Sequence, residues 1–363
     1  MQKVFINNKI LKMKLYSLLL IAIAAIGFYS CSPKPAQTET QENVKYYRGL
    51  LFSETSWDYE RGSHPLTAEE AKTINNYKFT WNENKQLVSI EFNRNDSLLD
   101  YSGMGAAKIT YTYEGNLQIK RFFDEKNAPT KNGGASVYEY TLNEEGMRVA
   151  MRFLDETGQP VENRNNIHNY VWTKLPDGMI KELRYKLTGE EVIMNPFCPF
   201  YELRFTYDAN GYVTRMANFD NDTLYNCTAE NCGDIGVSYF LFKNTDQGDL
   251  LEFSVHNVTG QMSNLYWGWA KRVNVVDANG YVVESIVYDQ DDEFLGGKGV
   301  PVTQSVYDEH GAVIKRISMD KDKNVINDPN NGVAIMEYKY DETGRRIETL
   351  RFDKDGKAIE HQG

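Results

Sequence analysis

The sequence predicts an all-β fold, an antiparallel array of about eight to nine β-hairpin repeats in an extended or curled sheet, with one short N-terminal helix. The first observation is an alternation of aromatic and polar residues, which is typical of half-buried strands. The second is that many of these segments end in Asp-x-x-Gly, a turn in which Asp suits the first position and Gly supplies a positive φ. The third is that the turn glycines recur with a period near 32 residues. These glycines are Gly115, Gly146, Gly178, Gly211, Gly248, Gly280, Gly311 and Gly344.

The clearest copy of the repeat is the stretch from Tyr338 to Ile359. A strand with alternating aromatic residues ends in a turn at Gly344, and a second alternating strand leads to a second turn at Gly356. Each unit is therefore one hairpin followed by a connector. The alternation also predicts that one face of the sheet is dry and the other is wet.

The strand faces can be assigned from parity in the better units. In the second full unit, Tyr140 and Met151 are predicted on the apolar face and Arg148 on the polar face. In later units the alternation is less regular. By parity, Ile347 lies on the opposite face from its apolar neighbours, and Val276 belongs to an apolar run that occupies both faces. Those strands are expected to be covered on both sides, so the sheet curls on itself or is covered by connectors over part of its length.

An N-terminal segment is expected to cap the array, because the terminal units of a repeat stack need an atypical outer face. Its hairpin, at 77–81 and 87–92, lacks the turn glycine and is interpreted as a degenerate first repeat. Before this hairpin, Thr67 and Glu70 have the spacing of a capping box, which predicts a short helix that ends near Asn75.

The core Tyr340-Asp341-Glu342-Thr343-Gly344-Arg345 resembles the YD repeat of Rhs-type bacterial cell-surface proteins. The resemblance covers roughly residues 107–361, and most units lack the arginine after the glycine. It implies long β-sheets that wrap or wind. It does not extend to the toxin domains that often accompany such repeats.

The N-terminus has the pattern of a lipoprotein signal peptide. Lys9, Lys12 and Lys14 precede an apolar run at 15–27, and Cys31 follows four residues later. An ordinary transmembrane anchor is the alternative, but it needs about 20 apolar residues. We therefore expect a lipid on Cys31, and an exported protein anchored in the bacterial cell envelope, at the outer membrane.

The residues after Cys31 have no large apolar side chain up to position 43 and are predicted to be a disordered tether. The formal net charge is −11, and loss of the lysines of the signal peptide makes it more negative. Such a chain repels nucleic acid, so nucleic-acid binding is not expected. The predicted domains are a signal peptide at 1–30, a tether at 31–43, a capping segment at 44–106 and the repeat domain at 107–363.

The mature chain has three cysteines besides Cys31. An oxidising compartment favours a disulfide. Cys198 and Cys232 occupy nearly the same place in neighbouring units, so their pairing is the first expectation. Cys227 with Cys232 and no disulfide at all are the alternatives.

Candidate functional residues are few. Tyr266, Trp267 and Trp269 surround a glycine near a connector, and their flat faces could stack on sugar rings, although sheet core is the alternative. The acidic loops at 320–324 and 353–356 look like calcium loops, but Asp also caps turns, so neither a metal nor a cofactor is expected. The five histidines lie in no catalytic motif.

These observations predict an envelope-anchored lipoprotein with a β-repeat surface that binds or scaffolds a glycan or an envelope protein. The alternative is a carbohydrate-active enzyme with an unrecognised carboxylate pair. A pocket that gathers two acids and an aromatic residue would favour the enzyme. A long smooth sheet with one aromatic patch would favour binding.

Overall fold

The computed structural model describes residues 43–100, 102–195, 198–232, 236–295 and 299–360. The predicted signal peptide, Cys31 and nearly all of the tether lie outside these residues. Among the residues described, no helix has the length and apolar character needed to cross a membrane.

The described chain is one open antiparallel sheet, as the sequence predicts. Its strands are β1 (Val44–Leu50), β2 (Gly62–Leu66), β3 (Asn76–Trp81), β4 (Leu87–Arg94), β5 (Ser97–Leu98), β6 (Lys108–Glu114), β7 (Leu117–Phe123), β8 (Pro129–Thr130), β9 (Val137–Leu142), β10 (Arg148–Leu154), β11 (Asn169–Lys174) and β12 (Ile180–Tyr185). They continue with β13 (Glu202–Tyr207), β14 (Val213–Asp220), β15 (Thr223–Leu224), β16 (Tyr239–Asn244), β17 (Leu250–His256), β18 (Lys271–Val276), β19 (Val282–Tyr288), β20 (Val302–Tyr307), β21 (Val313–Met319), β22 (Ile335–Tyr340) and β23 (Arg346–Phe352).

The longer strands form nine repeat hairpins in the described part of the chain, within the predicted eight to nine. They are β3–β4, β6–β7, β9–β10, β11–β12, β13–β14, β16–β17, β18–β19, β20–β21 and β22–β23. Each hairpin pairs with the next along the chain, β1 joins β3 to β2, and β23 ends the sheet. The degenerate first hairpin forms because Lys85 adopts the positive φ, 60°, that a glycine provides elsewhere.

The Asp-x-x-Gly turns have the geometry that their sequence predicts. In the fourth unit, the carbonyl of Asp208 accepts the Gly211 N–H at 3.0 Å, and Gly211 has φ 72°. The Asp208 carboxylate also accepts the N–H groups of Asn210 and Tyr212, each at 2.9 Å. The Asp320 carboxylate binds two backbone N–H groups in the same way, at 2.9 and 2.8 Å. The acidic loop at 320–324 is therefore a hairpin-type turn.

A β-bulge in most hairpins explains where the parity argument fails. In β10, the register shifts between Arg148 and Ala150, so Arg148 turns to the same face as Tyr140. The prediction of Arg148 on the polar face was wrong for this reason. In the last hairpin the shift places Ile347 opposite no partner, and its side chain is 65% exposed. The blurred alternation thus reflects bulges, and two-sided covering is not needed to explain it.

The face that carries Tyr140 is called the inner face here. Its main core cluster includes Met151, Phe205 and Phe242, and the predicted dry side of the second unit is confirmed by Tyr140 and Met151, each 1% exposed. The opposite, outer face carries cross-strand ion pairs such as Lys243 with Glu252, as suits a wet surface.

Tyrosine hydroxyls fasten neighbouring hairpins to each other. In three units, the tyrosine before the acidic residue of the turn donates its hydroxyl to the first carbonyl of the return strand in the preceding hairpin. The pairs are Tyr113 with Leu87, Tyr307 with Val282 and Tyr340 with Val313, at 3.0, 3.0 and 2.8 Å. This bond gives the tyrosine a structural role in these units.

The N-terminal strap, defined as Leu51–Arg61, crosses the inner face, and the turns of successive units meet it or the residues that follow it. These contacts are Tyr59 with the Gly146 carbonyl at 2.6 Å, Arg61 with the Asn210 carbonyl at 3.0 Å, His64 with Asp249 at 2.8 Å, and the Asn75 N–H with the His310 carbonyl at 2.8 Å. The last hairpin then meets the first ones, because Arg94 donates to the Glu342 carbonyl and Arg345 to the Glu125 carbonyl, both at 3.3 Å. The sheet therefore curls around its own N-terminal segment.

The capping box of the predicted helix is present. The Glu70 N–H donates to the Thr67 hydroxyl at 3.2 Å, and the Glu70 carboxylate accepts the Thr67 N–H at 2.8 Å. The helix itself is a single 3₁₀ turn at Glu70–Lys72. A second short helix, α1 (Ala229–Cys232), lies in the connector after β15 and was not predicted.

The curl can be tested at two turn glycines with nearly the same φ, Gly178 at 88° and Gly280 at 86°. A Cβ at Gly178 meets no atom within 4 Å, whereas one at Gly280 would lie 2.3 Å from the His64 ring. We expect Gly178→Ala to lower the free energy of unfolding by about 1 kcal/mol through backbone strain alone. Gly280→Ala should lower it further, because His64 is held by Asp249. Denaturant midpoints measure both losses. If the two variants lose the same amount of stability, the sixth turn, at Gly280, does not pack on the N-terminal segment.

Candidate ligand groove

A buried ion network fixes the strap to the inner face. Arg148, 1% exposed, donates to the Ser56 carbonyl at 3.1 Å and to the Asp58 carbonyl, and its guanidinium lies 3.4 Å from the Glu60 carboxylate. Lys120 forms a second ion pair with Glu60. Burial by itself would raise the pKa of Glu60, but Lys120 and Arg148 outweigh it and lower the pKa to about 2. Glu60 is therefore ionised and holds both cations.

A second anchor lies beside the strap at Glu182, which is 4% exposed. Its carboxylate accepts the Thr55 hydroxyl at 2.5 Å and the Trp172 indole N–H at 2.9 Å. Burial raises the pKa of Glu182, partly offset by Arg184. The strap is thus fixed at both its middle and its end, and it divides the space above the inner face.

A cavity of about 340 Å³ lies on one side of the strap. Glu54 and Glu182 line it together with Tyr170 and Trp267. Burial among these groups raises the pKa of Glu54 to about 7, with Arg272 opposing the rise and Asp58 adding to it. The structure therefore does gather two acids with aromatic residues, which is the arrangement that favours the enzyme alternative.

Beyond Trp267 the hollow space continues along the inner face of the last hairpins. One part, about 520 Å³, is lined by both tryptophans and Arg272, and the next, about 740 Å³, reaches Arg351. The two parts share Thr303, Arg316 and Asn330, so they are continuous. We call this surface the inner groove, and define it by Trp267, Trp269, Arg272, Thr303, Arg316, Ser318, Asn330 and Arg351.

The structure places the three predicted aromatic residues in two different settings. The Trp267 and Trp269 rings lie 4.9 Å apart between centroids, and the Trp267 indole N–H donates to the Trp269 carbonyl at 2.9 Å. Both line the inner groove. Tyr266 packs against Trp267 with centroids 5.1 Å apart, but it is 68% exposed and lies outside the lining. The tryptophans are thus brought to a hollow surface, and the tyrosine is not.

The sequence pattern did not identify the arginines of the groove as candidate functional residues. All three arginines of the groove lie on the inner face. Arg272 pairs with Phe253 on the neighbouring strand. Arg316 and Arg351 both pair with Met336, from the two strands that flank it. Counting parity from the turn would have failed, since each return strand contains a bulge. Counting backwards from the residue before the Asp that ends each return strand, Met319 for Arg316 and Phe352 for Arg351, avoids the bulge and could have found both arginines.

The disulfide differs from the first expectation. Cys227 pairs with Cys232, with Cα atoms 5.6 Å apart, and Cys198 keeps a buried free thiol. The pairing of Cys198 with Cys232 was wrong because α1 folds the connector back on itself, which brings Cys227 within the roughly 4.4 to 6.8 Å that a disulfide permits. The three sulfurs nevertheless lie within 4.8 Å of one another, so neighbouring units do bring Cys198 beside the bridge. Burial raises the pKa of the Cys198 thiol to about 12.

No family model and no curated protein matches the chain. Solved structures similar to it include the Photorhabdus luminescens Tc holotoxin pore, with TM-score 0.29, 10% identity, 77% of this chain and 13% of that chain covered. A TcdB2-TccC3 structure has TM-score 0.24, 11% identity, and 78% and 17% coverage. A porin-like protein from Bacteroides uniformis has TM-score 0.26, 12% identity, and 68% and 88% coverage. This chain spans only a small part of the toxin chains, and TM-scores this low carry no argument about function.

The raised pKa of Glu54 gives a pH-dependent stability. Between the ordinary value of 4.5 and about 7, the folded protein keeps a proton that the unfolded chain releases, so the contribution of Glu54 to stability falls as pH rises through this window. We therefore expect Glu54→Gln to gain stability relative to the unmodified protein between pH 4 and pH 8. Denaturant midpoints at both pH values measure this. A difference between the two proteins that does not change with pH would contradict the raised pKa of Glu54.

Proposed function

We propose that the protein is an exported lipoprotein, anchored to the outer membrane through Cys31, whose inner groove binds a glycan. The groove lies on a β-repeat scaffold whose curvature is fixed by the strap. The single observation that carries the proposal is the continuity of this groove from the paired tryptophans to Arg351.

The chemistry of the groove suits a sugar chain. Trp267 and Trp269 provide aromatic faces at one end, where a sugar ring can stack. Thr303, Ser318 and Asn330 provide hydroxyl and amide groups along the rest of the lining, which can bond to sugar hydroxyls. A groove that is long and open also suits a chain better than a compact small molecule.

A protein partner is less well supported by the same surface. Protein interfaces depend on a desolvated core of aromatic and aliphatic anchors. Beyond the tryptophans, polar side chains such as Arg316, Ser318 and Asn330 alternate with apolar ones such as Val300, Val333 and Met336. Charged and polar groups therefore interrupt the apolar surface along the groove, which favours a hydrated chain such as a polysaccharide.

Glycoside hydrolysis in the cavity beside the strap is the second candidate, because Glu54 and Glu182 meet there with Tyr170 and Trp267. A protonated Glu54 could act as a general acid. We rank it second because one Glu182 oxygen already accepts two hydrogen bonds that hold the strap. Glycan cleavage that is lost in Glu54→Gln would favour this candidate over binding alone.

Binding can be tested with residues 43–363, which form one compact unit. On a glycan array, Trp269→Ala should lower affinity about tenfold or more, because stacking on an aromatic face contributes on the order of 1.5 kcal/mol. Tyr266→Ala is the matched control, since this aromatic side chain lies outside the groove, and it should bind like the unmodified protein. Thermal melts verify that both variants are folded. Absence of binding to every glycan, or equal losses in the two variants, would refute the groove as a glycan site.

The lipid anchor is tested separately by metabolic labelling with an alkyne fatty acid. We expect label on the unmodified protein in the membrane fraction, since a thioether-linked diacylglycerol requires the Cys31 sulfur. Cys31→Ala should carry no label. Cys198→Ala serves as the control and should keep it. Unchanged labelling of Cys31→Ala would show that the anchor is elsewhere or absent.

A further inference from the structure

The cations of the outer face are paired, whereas those of the inner groove are not. On the outer face of the last two hairpins, Lys315 lies 2.9 Å from Glu337 and Lys339 lies 2.7 Å from Glu348. Lys323 lies 2.7 Å from Glu284. On the inner face, Arg272, Arg316 and Arg351 form no ion pair or side-chain hydrogen bond with any residue that the structure describes.

The arginines of the earlier units show that this is not a general property of the inner face. Arg148 is bound by Glu60 and by carbonyls of the strap, and Arg184 donates to the Phe200 carbonyl at 3.1 Å. The acceptors of Arg148 come from the strap, and those of Arg184 come from the connector that contains Phe200 and Tyr201. Arg272 also keeps a buried Nε–H without a hydrogen-bond partner among the described residues, a feature that it shares with Arg184 and Arg345.

The three arginines are distributed along the inner groove, with Arg316 in the region that its two parts share. Arg272 lines the part that contains Trp267 and Trp269. Arg316 and Arg351 flank Met336 on the two adjacent strands, so their Cα atoms are about 10 Å apart across the sheet. Arg316 is exposed and Arg351 half-buried, which leaves both guanidinium groups able to reach a ligand.

Apart from Glu54, which interacts electrostatically with Arg272, the carboxylates near the groove do not neutralise these arginines. Asp328 also lines it, but its oxygens accept hydrogen bonds from the Asn330 N–H at 2.9 Å and the Asn331 side chain at 3.0 Å, within its own turn. Glu360 lines the far end without forming an ion pair to either arginine. The local surface is therefore cationic in a chain whose net charge is −11.

We propose that the ligand of the inner groove is an anionic polysaccharide, and that Arg272, Arg316 and Arg351 bind its acidic groups while Trp267 and Trp269 stack on its rings. This inference rests on the proposed function and names its ligand class. The planar guanidinium binds carboxylate and sulfate oxygens in a two-point geometry, and such charge-assisted bonds are about twice as strong as neutral ones. The three arginines therefore contact acidic groups at separate positions along the ligand chain.

The test is a binding titration of the full chain in detergent with three probes: oligogalacturonate, which carries carboxylates, dextran sulfate, which carries sulfates, and neutral dextran. We expect binding of a carboxylated or sulfated probe but not of dextran, with affinity that falls as salt is raised. Arg316→Gln and Arg351→Gln should each weaken it about tenfold or more. Lys315→Gln and Lys339→Gln remove outer-face cations from the same hairpins and should leave it unchanged.

The outcomes separate the two proposals. A preference between the carboxylated and the sulfated probe, lost in the arginine variants alone, supports the inference and identifies the acidic group. Binding of neutral and anionic glycans that the arginine variants do not weaken overturns the inference and leaves glycan binding intact. Equal losses in the lysine controls overturn the inference too, because they indicate non-specific attraction. Failure of every glycan to bind overturns both.

Discussion

The fold depends on the buried ion pairs that Glu60 makes with Arg148 and Lys120. A sheet of hairpins with one apolar face can lie flat or curl, since each hairpin contacts only its neighbours. The strap favours the curled form, because the Glu60 carboxylate and the strap carbonyls are the partners of Arg148 and Lys120. These two cations would otherwise be buried without a partner. Removing one partner of a buried pair typically costs about 3 to 5 kcal/mol. The strap is therefore held in place, and the turns of later units pack against the segment that follows it.

The same arrangement creates the groove. The strap fills the inner face of the first half of the sheet, and the turn contacts continue the curl into the second half, whose last hairpins the strap does not cross. Among the described residues, the last hairpins thus have an inner face that is curved but not filled. Polar side chains are tolerated there because water, or a ligand, can reach them. The inner-face arginines differ accordingly, since Arg148 is bound by the strap, whereas Arg272, Arg316 and Arg351 form no ion pair with any described residue.

The cysteine cluster illustrates how local chain geometry competes with repeat register. Register brings Cys198 beside Cys232, but a connector that forms even one helical turn brings Cys227 closer to the same sulfur. The short loop between Cys227 and Cys232 closes at little cost in chain entropy. Cys198 is left as a buried thiol with a raised pKa, which makes it a weak nucleophile toward the adjacent bridge.

The sequence by itself determined what local interactions specify. The hairpins, the positive φ of the turn glycines and the capping box at Thr67 all depend on residues within a few positions of each other, and each is present as predicted. Only the tertiary structure decided which face Arg148 and Ile347 occupy, because a one-residue bulge reverses parity. It also decided that residues 51–61 cross the inner face and that Arg316 and Arg351 line a groove. The strap depends on hydrogen bonds with residues 60 to 150 positions away, and the groove depends on strands that pair through a third. No local pattern encodes either.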